Sequence, residues 1–206
     1  MWLYLIRHGQ SEANAGLDVG TDPKLTDLGR RQAMWTANRL RGEGIEALYS
    51  SPMRRALETA TIIGEALGLT PTVWVNLCEL RTYEDFTGLP RSMLAALFPS
   101  VVLPPQVTEA GWWDGRAETI EDADTRAAVV LRLLESAHPS PRARLAVITH
   151  GLFGALMLAH AMGDATGNLV AWHQNNCGIS IVRIGDGLPG LVCLNDLSHI
   201  PPECVT

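Results

Sequence analysis

Lysine is almost missing from this 206-residue chain: Lys24 is the only one among 16 basic residues. With a net charge of −6, the chain lacks the basic stripe that a general nucleic-acid surface requires. It also lacks any uninterrupted apolar run near the roughly 20 residues of a membrane span. The apolar opening, Met1 to Ile6, stops at Arg7-His8. It has no basic leader and no small-residue cleavage site, so it reads as a first strand and not as a signal peptide. No C-x-x-C pair occurs among Cys78, Cys177, Cys193 and Cys204, which argues against a zinc knuckle or a redox dithiol. Reduced thiols in a cytoplasmic protein are expected. No His/Cys/Asp cluster has ligand spacing, so neither a metal nor another cofactor is expected. Repeats and low-complexity tracts are missing too. With 47% apolar and 18% charged residues, the composition is that of a folded protein and not of a disordered one.

What is present alternates between strand and helix signals. Residues 2–6 and Ile45–Tyr49 read as strands, Val73–Val75 as a short one, and Leu145–Thr149 as another. Helices are expected from Thr26-Asp-Leu-Gly29 to Gly42, from Met53 to Leu67 with Gly68 as the stop, and around Ser92–Phe98. Two more are expected from Glu118 to Ala137 and over Gly151–Met162. The end, from about Leu169 to Leu194, reads as strands separated by turns. The length suits a single domain over 1–206, with an irregular, substrate-covering insertion at about 76–117. The alternation implies an α/β fold, a three-layer α/β/α sandwich with a mostly parallel central sheet. Active sites of such sheets form beyond the carboxyl ends of the strands. Arg7-His8-Gly9, Ser50-Ser51-Pro52-Met53-Arg54-Arg55 and Thr149-His150-Gly151 all fall there.

These residues suit phosphoryl transfer through histidine. His8 offers an imidazole nitrogen as nucleophile, with the Arg7 guanidinium beside it. Gly9 removes a side chain where backbone must approach a ligand. Ser11 and Asn14 can add neutral hydrogen bonds, and Arg55 can fork onto two phosphoryl oxygens. His150 stands at a helix start, where backbone N–H groups favour an anion. Each piece alone has a plainer reading: a lone histidine is usually structural, and Ser-Ser-Pro before a helix is usually a cap.

In combination they are specific. Arg7-His8-Gly9-Gln10-Ser11-Glu12-Ala13-Asn14, Leu25-Thr26-Asp27-Leu28-Gly29, Ser50-Ser51-Pro52-Met53-Arg54-Arg55-Ala56 and Thr149-His150-Gly151 together resemble the histidine phosphatase superfamily, in its phosphoglycerate-mutase-like branch. The resemblance implies a phosphohistidine intermediate formed without a metal, with His8 as nucleophile. It implies a phosphate pocket of Arg7, Arg55 and His150, with Asn14, Ser11 and Gly151 beside them; Arg54 is expected to face solvent. Leu77-Cys78-Glu79-Leu80 matches the segment that carries the family's acid, which makes Glu79 the proton donor. The stretch after it departs from the family pattern and leaves Glu84 or Asp85 as alternatives. Glu118 with Arg126 is expected to form a helix cap and an ion pair, and Asn175-Asn176 is expected to be structural.

The implied activity is hydrolysis of a small-molecule phosphomonoester. A phosphoglycerate mutase-type isomerase is the alternative, and a non-catalytic phospho-ligand module the third reading. A monomer or homodimer is expected, with no nucleic-acid or membrane partner. Phe86, Trp112, Trp113 and Arg116 are candidates for the substrate pocket; the tryptophans could equally pack the insertion onto the domain.

Overall fold

In the central strands, successive side chains point to opposite faces, and the pattern of apolar residues sets the layers. Leu3 and Leu5 face one way and Tyr4 and Ile6 the other, and all four are buried. The computed structural model describes residues 1–82, 86–164, 169–185 and 190–206. Its strands are β1 (Trp2–Arg7), β2 (Ala47–Ser50), β3 (Thr72–Val73), β4 (Arg144–Thr149), β5 (Ile179–Arg183) and β6 (Gly190–Asp196). Its helices are α1 (Asp27–Leu40), α2 (Arg54–Leu67), α3 (Arg91–Leu97), α4 (Ile120–Ala137) and α5 (Gly151–Met162). The sheet order is β3-β2-β4-β1-β5-β6. Neighbours are parallel from β3 through β1, and β5 runs antiparallel to both β1 and β6.

Leu3 and Leu5 join Leu145 and Val147 of β4 against α4 and α5. Tyr4 and Ile6 join Leu48, Ala146 and Ile148 against α1 and α2. The result is the expected three-layer α/β/α sandwich. Thr119 and Asp122 form a capping box at the start of α4. Gly68, left-handed at φ 69°, ends α2 where sequence places the stop.

Two readings need correction. Leu169–Trp172 is a 3-10 turn and not a strand. Met53, expected as the first helical residue, is instead the N-cap of α2, which starts at Arg54, and it makes no side-chain capping bond.

Between β3 and α4 the chain builds a small core of its own. Leu94, Phe98, Val107 and Trp112 pack there on Met53 and Leu57. Arg91 staples this segment by donating to the carbonyls of Leu103, Pro104 and Val107.

Candidate active site

Strand register assembles the site. β1 and β4 pair with Arg7 opposite Thr149, and β4 and β2 pair with Ser50 opposite Ile148. The next residues, His8, His150 and Ser51, therefore leave the sheet side by side. The amide of His8 continues the ladder to the Thr149 carbonyl at 3.0 Å, and that of Ser51 to Ile148 at 3.0 Å. The rings of His8 and His150 lie 5.1 Å apart, edge to face.

His8 is 3% exposed. Its Nδ1 is 2.7 Å from the Gly9 carbonyl, and Arg55 Nε donates to its Nε2 at 3.0 Å. A carbonyl only accepts and a guanidinium only donates, so the proton sits on Nδ1 and the lone pair on Nε2. Burial first, then Arg55 and Arg7, hold the His8 pKa well below the ordinary value of 6.5, against the opposing pull of the Gly9 carbonyl. Burial and Arg55 do the same to His150. His150 Nε2 is 2.7 Å from Ser51 Oγ, while its buried Nδ1 has no partner among the described residues.

Arg7 donates through one terminal nitrogen to the Gln174 carbonyl, while its buried Nε has no partner among the described residues. Its guanidinium lies over Gly151, where a Cβ would stand 3.5 Å from Nε. Asn14 and Ser11 bind each other's backbone amides. Asn176 ties this turn down, donating to the His8 carbonyl at 2.9 Å and to Asn14 Oδ1 at 3.1 Å. The close approach expected at Gly9 is not toward a ligand. A Cβ on Gly9 or on Gly29 would collide with the other segment, so the pair lets the His8 loop lie directly on the start of α1.

Glu79 sits at the first turn of α5. Its Oε1 accepts the amides of Leu80 at 3.0 Å and Phe153 at 2.9 Å, and its Oε2 accepts Leu152 at 3.2 Å. The Glu79 segment is held from below by Arg126, which donates to the carbonyls of Asn76 at 2.7 Å and Cys78 at 2.9 Å. Arg126 also grips Glu118 with both ends of its fork, at 2.8 and 2.7 Å. Glu84 and Asp85, the alternative donors, lie outside the described residues.

Arg7, His8, Ser11, Asn14, Arg55, Glu79 and Gly151 all line one cavity of about 350 Å³. Phe86, Trp112 and Trp113 line its mouth. Trp112 also packs in the core between β3 and α4 at 7% exposed, so one side chain both lines the cavity and holds this segment on the domain. Arg116 does not line the cavity; its side chain is 85% exposed and pairs with Asp114. Arg81 lines the mouth instead. Arg54, expected in solvent, is tied to the buried Glu58 at 3.0 Å.

The sequence profile of the histidine phosphatase superfamily, branch 1, matches residues 3–197. The chain belongs to this superfamily. The "Putative phosphoserine phosphatase 2" of Hydrogenobacter thermophilus is 30% identical over 207 residues, 96% of each chain. A "Probable phosphoglycerate mutase" of Yersinia pestis is 41% identical over 81 residues, 38% of each chain. Among solved structures, Bacillus stearothermophilus YhfR superposes with a TM-score of 0.74 at 24% identity, over 97% of this chain and 99% of that one. An Entamoeba histolytica phosphoserine phosphatase variant bound to phosphoserine gives 0.71 at 22% identity, over 97% and 99%.

For this histidine phosphatase, motif reading missed three residues that shape the site. Ser51 reads as a helix cap but holds His150. Asn176 reads as a strand entry, and its contact with the His8 loop is invisible across 168 positions of sequence. Arg81 belongs to no motif and lines the cavity only through tertiary packing.

Proposed function

We propose that this histidine phosphatase hydrolyses a small phosphomonoester through a phosphohistidine on His8. The observation that supports the reading is the His8 tautomer: Nε2 carries the ring's lone pair, covered by Arg55 Nε, in a cavity shared with two arginines. When a phosphate enters, its oxygens draw the Arg55 guanidinium from the imidazole, and Nε2 attacks phosphorus. The P–O ester bond breaks as the N–P bond forms, and Glu79 gives its proton to the leaving oxygen. Arg7, Arg55 and the Nδ1 side of His150 hold the charge on the equatorial oxygens. A water then attacks phosphorus, its proton passes to Glu79, the N–P bond breaks, and phosphate is released.

The test is His8→Ala. Wild type quenched during turnover should carry acid-labile phosphate, and His8→Ala should carry none and lose activity while staying folded. Near-normal turnover by the variant would remove His8 from the nucleophile's role.

The same arginines support a metal-independent reaction, since they supply the positive charge that a divalent cation provides elsewhere. Among the described residues no group of three His, Cys, Asp or Glu could hold a metal. Full activity is expected after exhaustive chelation. Loss on chelation, with recovery on adding one divalent ion, would contradict this.

The local match to a mutase keeps isomerisation as a second reading. Incubation with 3-phosphoglycerate and a trace of bisphosphoglycerate separates the two: a phosphatase releases inorganic phosphate and a mutase forms 2-phosphoglycerate.

A further inference from the structure

Behind the His8 loop, the side chains of Gln32, Thr206, Asn176 and Asn14 form a run of hydrogen bonds in which every donor is fixed. The amide of Gln10 donates to Gln32 Oε1 at 2.8 Å. That leaves Gln32 Nε2 to donate to the Cys204 carbonyl at 2.8 Å and to Thr206 Oγ1 at 2.9 Å. Thr206 Oγ1 has then accepted one bond and gives its own proton to Asn176 Oδ1 at 3.1 Å. Asn176 Nδ2 donates twice, to the His8 carbonyl at 2.9 Å and to Asn14 Oδ1 at 3.1 Å. The run thus starts and ends in one loop, at Gln10 and Asn14, after passing through α1 and the strap 204–206. Gln32 is 0% and Asn176 1% exposed, so water does not compete for their bonds. The Gln10 amide can only donate and the His8 carbonyl can only accept. Neither the Gln32 nor the Asn176 amide can therefore turn over.

This order reaches the cavity through Asn14, which lines it with Arg7, His8 and Arg55. An asparagine amide has a donor end and an acceptor end of nearly one shape, and only the donor end suits an anion. Asn14 Oδ1 is engaged twice, by the Ser11 amide at 3.2 Å and by Asn176. Its Nδ2 bonds nothing among the described residues. Asn14 itself is exposed, and a single bond to Ser11 would leave its side chain free to swing away. The second bond comes from a buried partner that cannot move. We infer that Asn176, backed by Thr206, is a positioning residue that holds Asn14 with its donor end toward the phosphoryl group. The strap 204–206, remote in sequence from every phosphate ligand, is on this account part of the phosphate site.

This inference rests on the phosphatase reading, and its test keeps the two apart. Two quantities are measured for wild type, Asn14→Ala, Asn176→Ala and the double variant: kcat/KM for p-nitrophenyl phosphate, and the Kd of inorganic phosphate by calorimetry. Losing one donor to the developing charge costs about 10²-fold in rate, and that is the loss expected in kcat/KM for Asn14→Ala. Asn176→Ala leaves Asn14 present but unheld and should weaken both quantities by about 10-fold, yet change little once Asn14 is alanine. Residues that act as one unit are non-additive in this way. A tie that only holds the fold together would cost the same factor in both backgrounds. Thr206→Val should shift both quantities in the same direction by less, and Thr206→Ser, which keeps the hydroxyl, should recover that loss.

No loss in Asn14→Ala or in Asn176→Ala, or an equal loss from Asn176→Ala in both backgrounds, overturns the inference, while hydrolysis by wild type leaves the phosphatase reading standing. If wild type hydrolyses no ester, that reading fails and the phosphate Kd values decide the inference by the same criterion. A wild type that neither hydrolyses an ester nor binds phosphate overturns both. Thermal melts identify a variant that does not fold; should Asn176→Ala be one, the cycle is run with Thr206→Val in its place and judged in the same way.

Discussion

Glu79 is gripped by backbone and not by side chains: three amides, two of them from the first turn of α5, fix its carboxyl group. That makes its position a property of the helix end. If it donates the proton to the leaving oxygen, its importance scales with how badly that oxygen needs one. General acid catalysis contributes about 10²–10⁴-fold. Glu79→Gln keeps one acceptor oxygen for the amides of Leu80 and Phe153, gives up the bond from Leu152 and removes the transferable proton. It should slow an alkyl phosphate by that amount and p-nitrophenyl phosphate far less, as measured by kcat on both. Equal losses would make Glu79 a positioning residue.

The residues that carry such roles differ in how legible they are. His8 and His150 stand next to strand ends and Arg55 in the first turn of the helix after one, and the alternating pattern places strand ends and helix starts by itself. Arg81 and Arg116 cannot be ranked that way. Both flank the same irregular segment, and only tertiary packing decides that Arg116 closes on Asp114 two residues back while Arg81 stacks on Trp113 from 32 positions away.

Helix α4 shows how an element outside the cavity fixes a segment that lines it. Its Arg126, 8% exposed, bonds Glu118 and the carbonyls of Asn76 and Cys78, and its guanidinium lies 3.9 Å from the Phe153 ring centroid. It thus ties together the strap that carries Glu79 and the helix end that receives it. Breaking a buried pair by removing one partner costs about 3–5 kcal/mol, because the other charge is left uncompensated. Arg126→Met should therefore lower stability by about that much in urea unfolding and should reduce turnover of alkyl phosphates. The double variant Arg126→Met/Glu118→Gln should recover part of the stability. A loss under 1 kcal/mol would mean that the pair behaves like a surface one.

Elements themselves divide by length. α5 occupies the residues its length and its Ala, Leu and Met content assign, Gly151–Met162, because a twelve-residue, mostly apolar segment closed by a left-handed Gly163 is too long for an ordinary buried strand. Length does not decide the four residues Leu169–Trp172, since a short apolar run suits a strand or a helical turn equally.

At the scale of the molecule, the reversal of β5 was not legible, because strand direction depends on connections that periodicity does not encode. The convergence of three loops at one sheet edge was legible, and it has a thermodynamic price in acid. His8 and His150 are both held neutral, their folded pKa values well below 6.5. The unfolded chain therefore binds more protons than the native one below that pH. Their contribution to stability is complete above about pH 7 and is lost as pH falls through 6.5, at up to about 1.4 kcal/mol per pH unit for each histidine. Asp22 acts with the opposite sign: burial raises its pKa from 3.8 to about 6, so its cost grows as pH rises through that interval. Urea midpoints should fall from pH 7 to pH 5, and His150→Gln should flatten the fall. An equally steep fall in that variant would point to other groups. The low His8 value also places the acid limb of kcat/KM below pH 6.5.

The hydrogen bond from Arg55 to His8 Nε2 has one more consequence. On the proposed mechanism the lone pair that attacks is occupied at rest, and a ligand bearing anionic oxygens competes for the guanidinium that occupies it. Recognition of the phosphoryl group and unmasking of the nucleophile are then one event. Stray alkylating agents and soft metal ions, which offer Arg55 nothing to bind, meet a histidine that is chemically quiet.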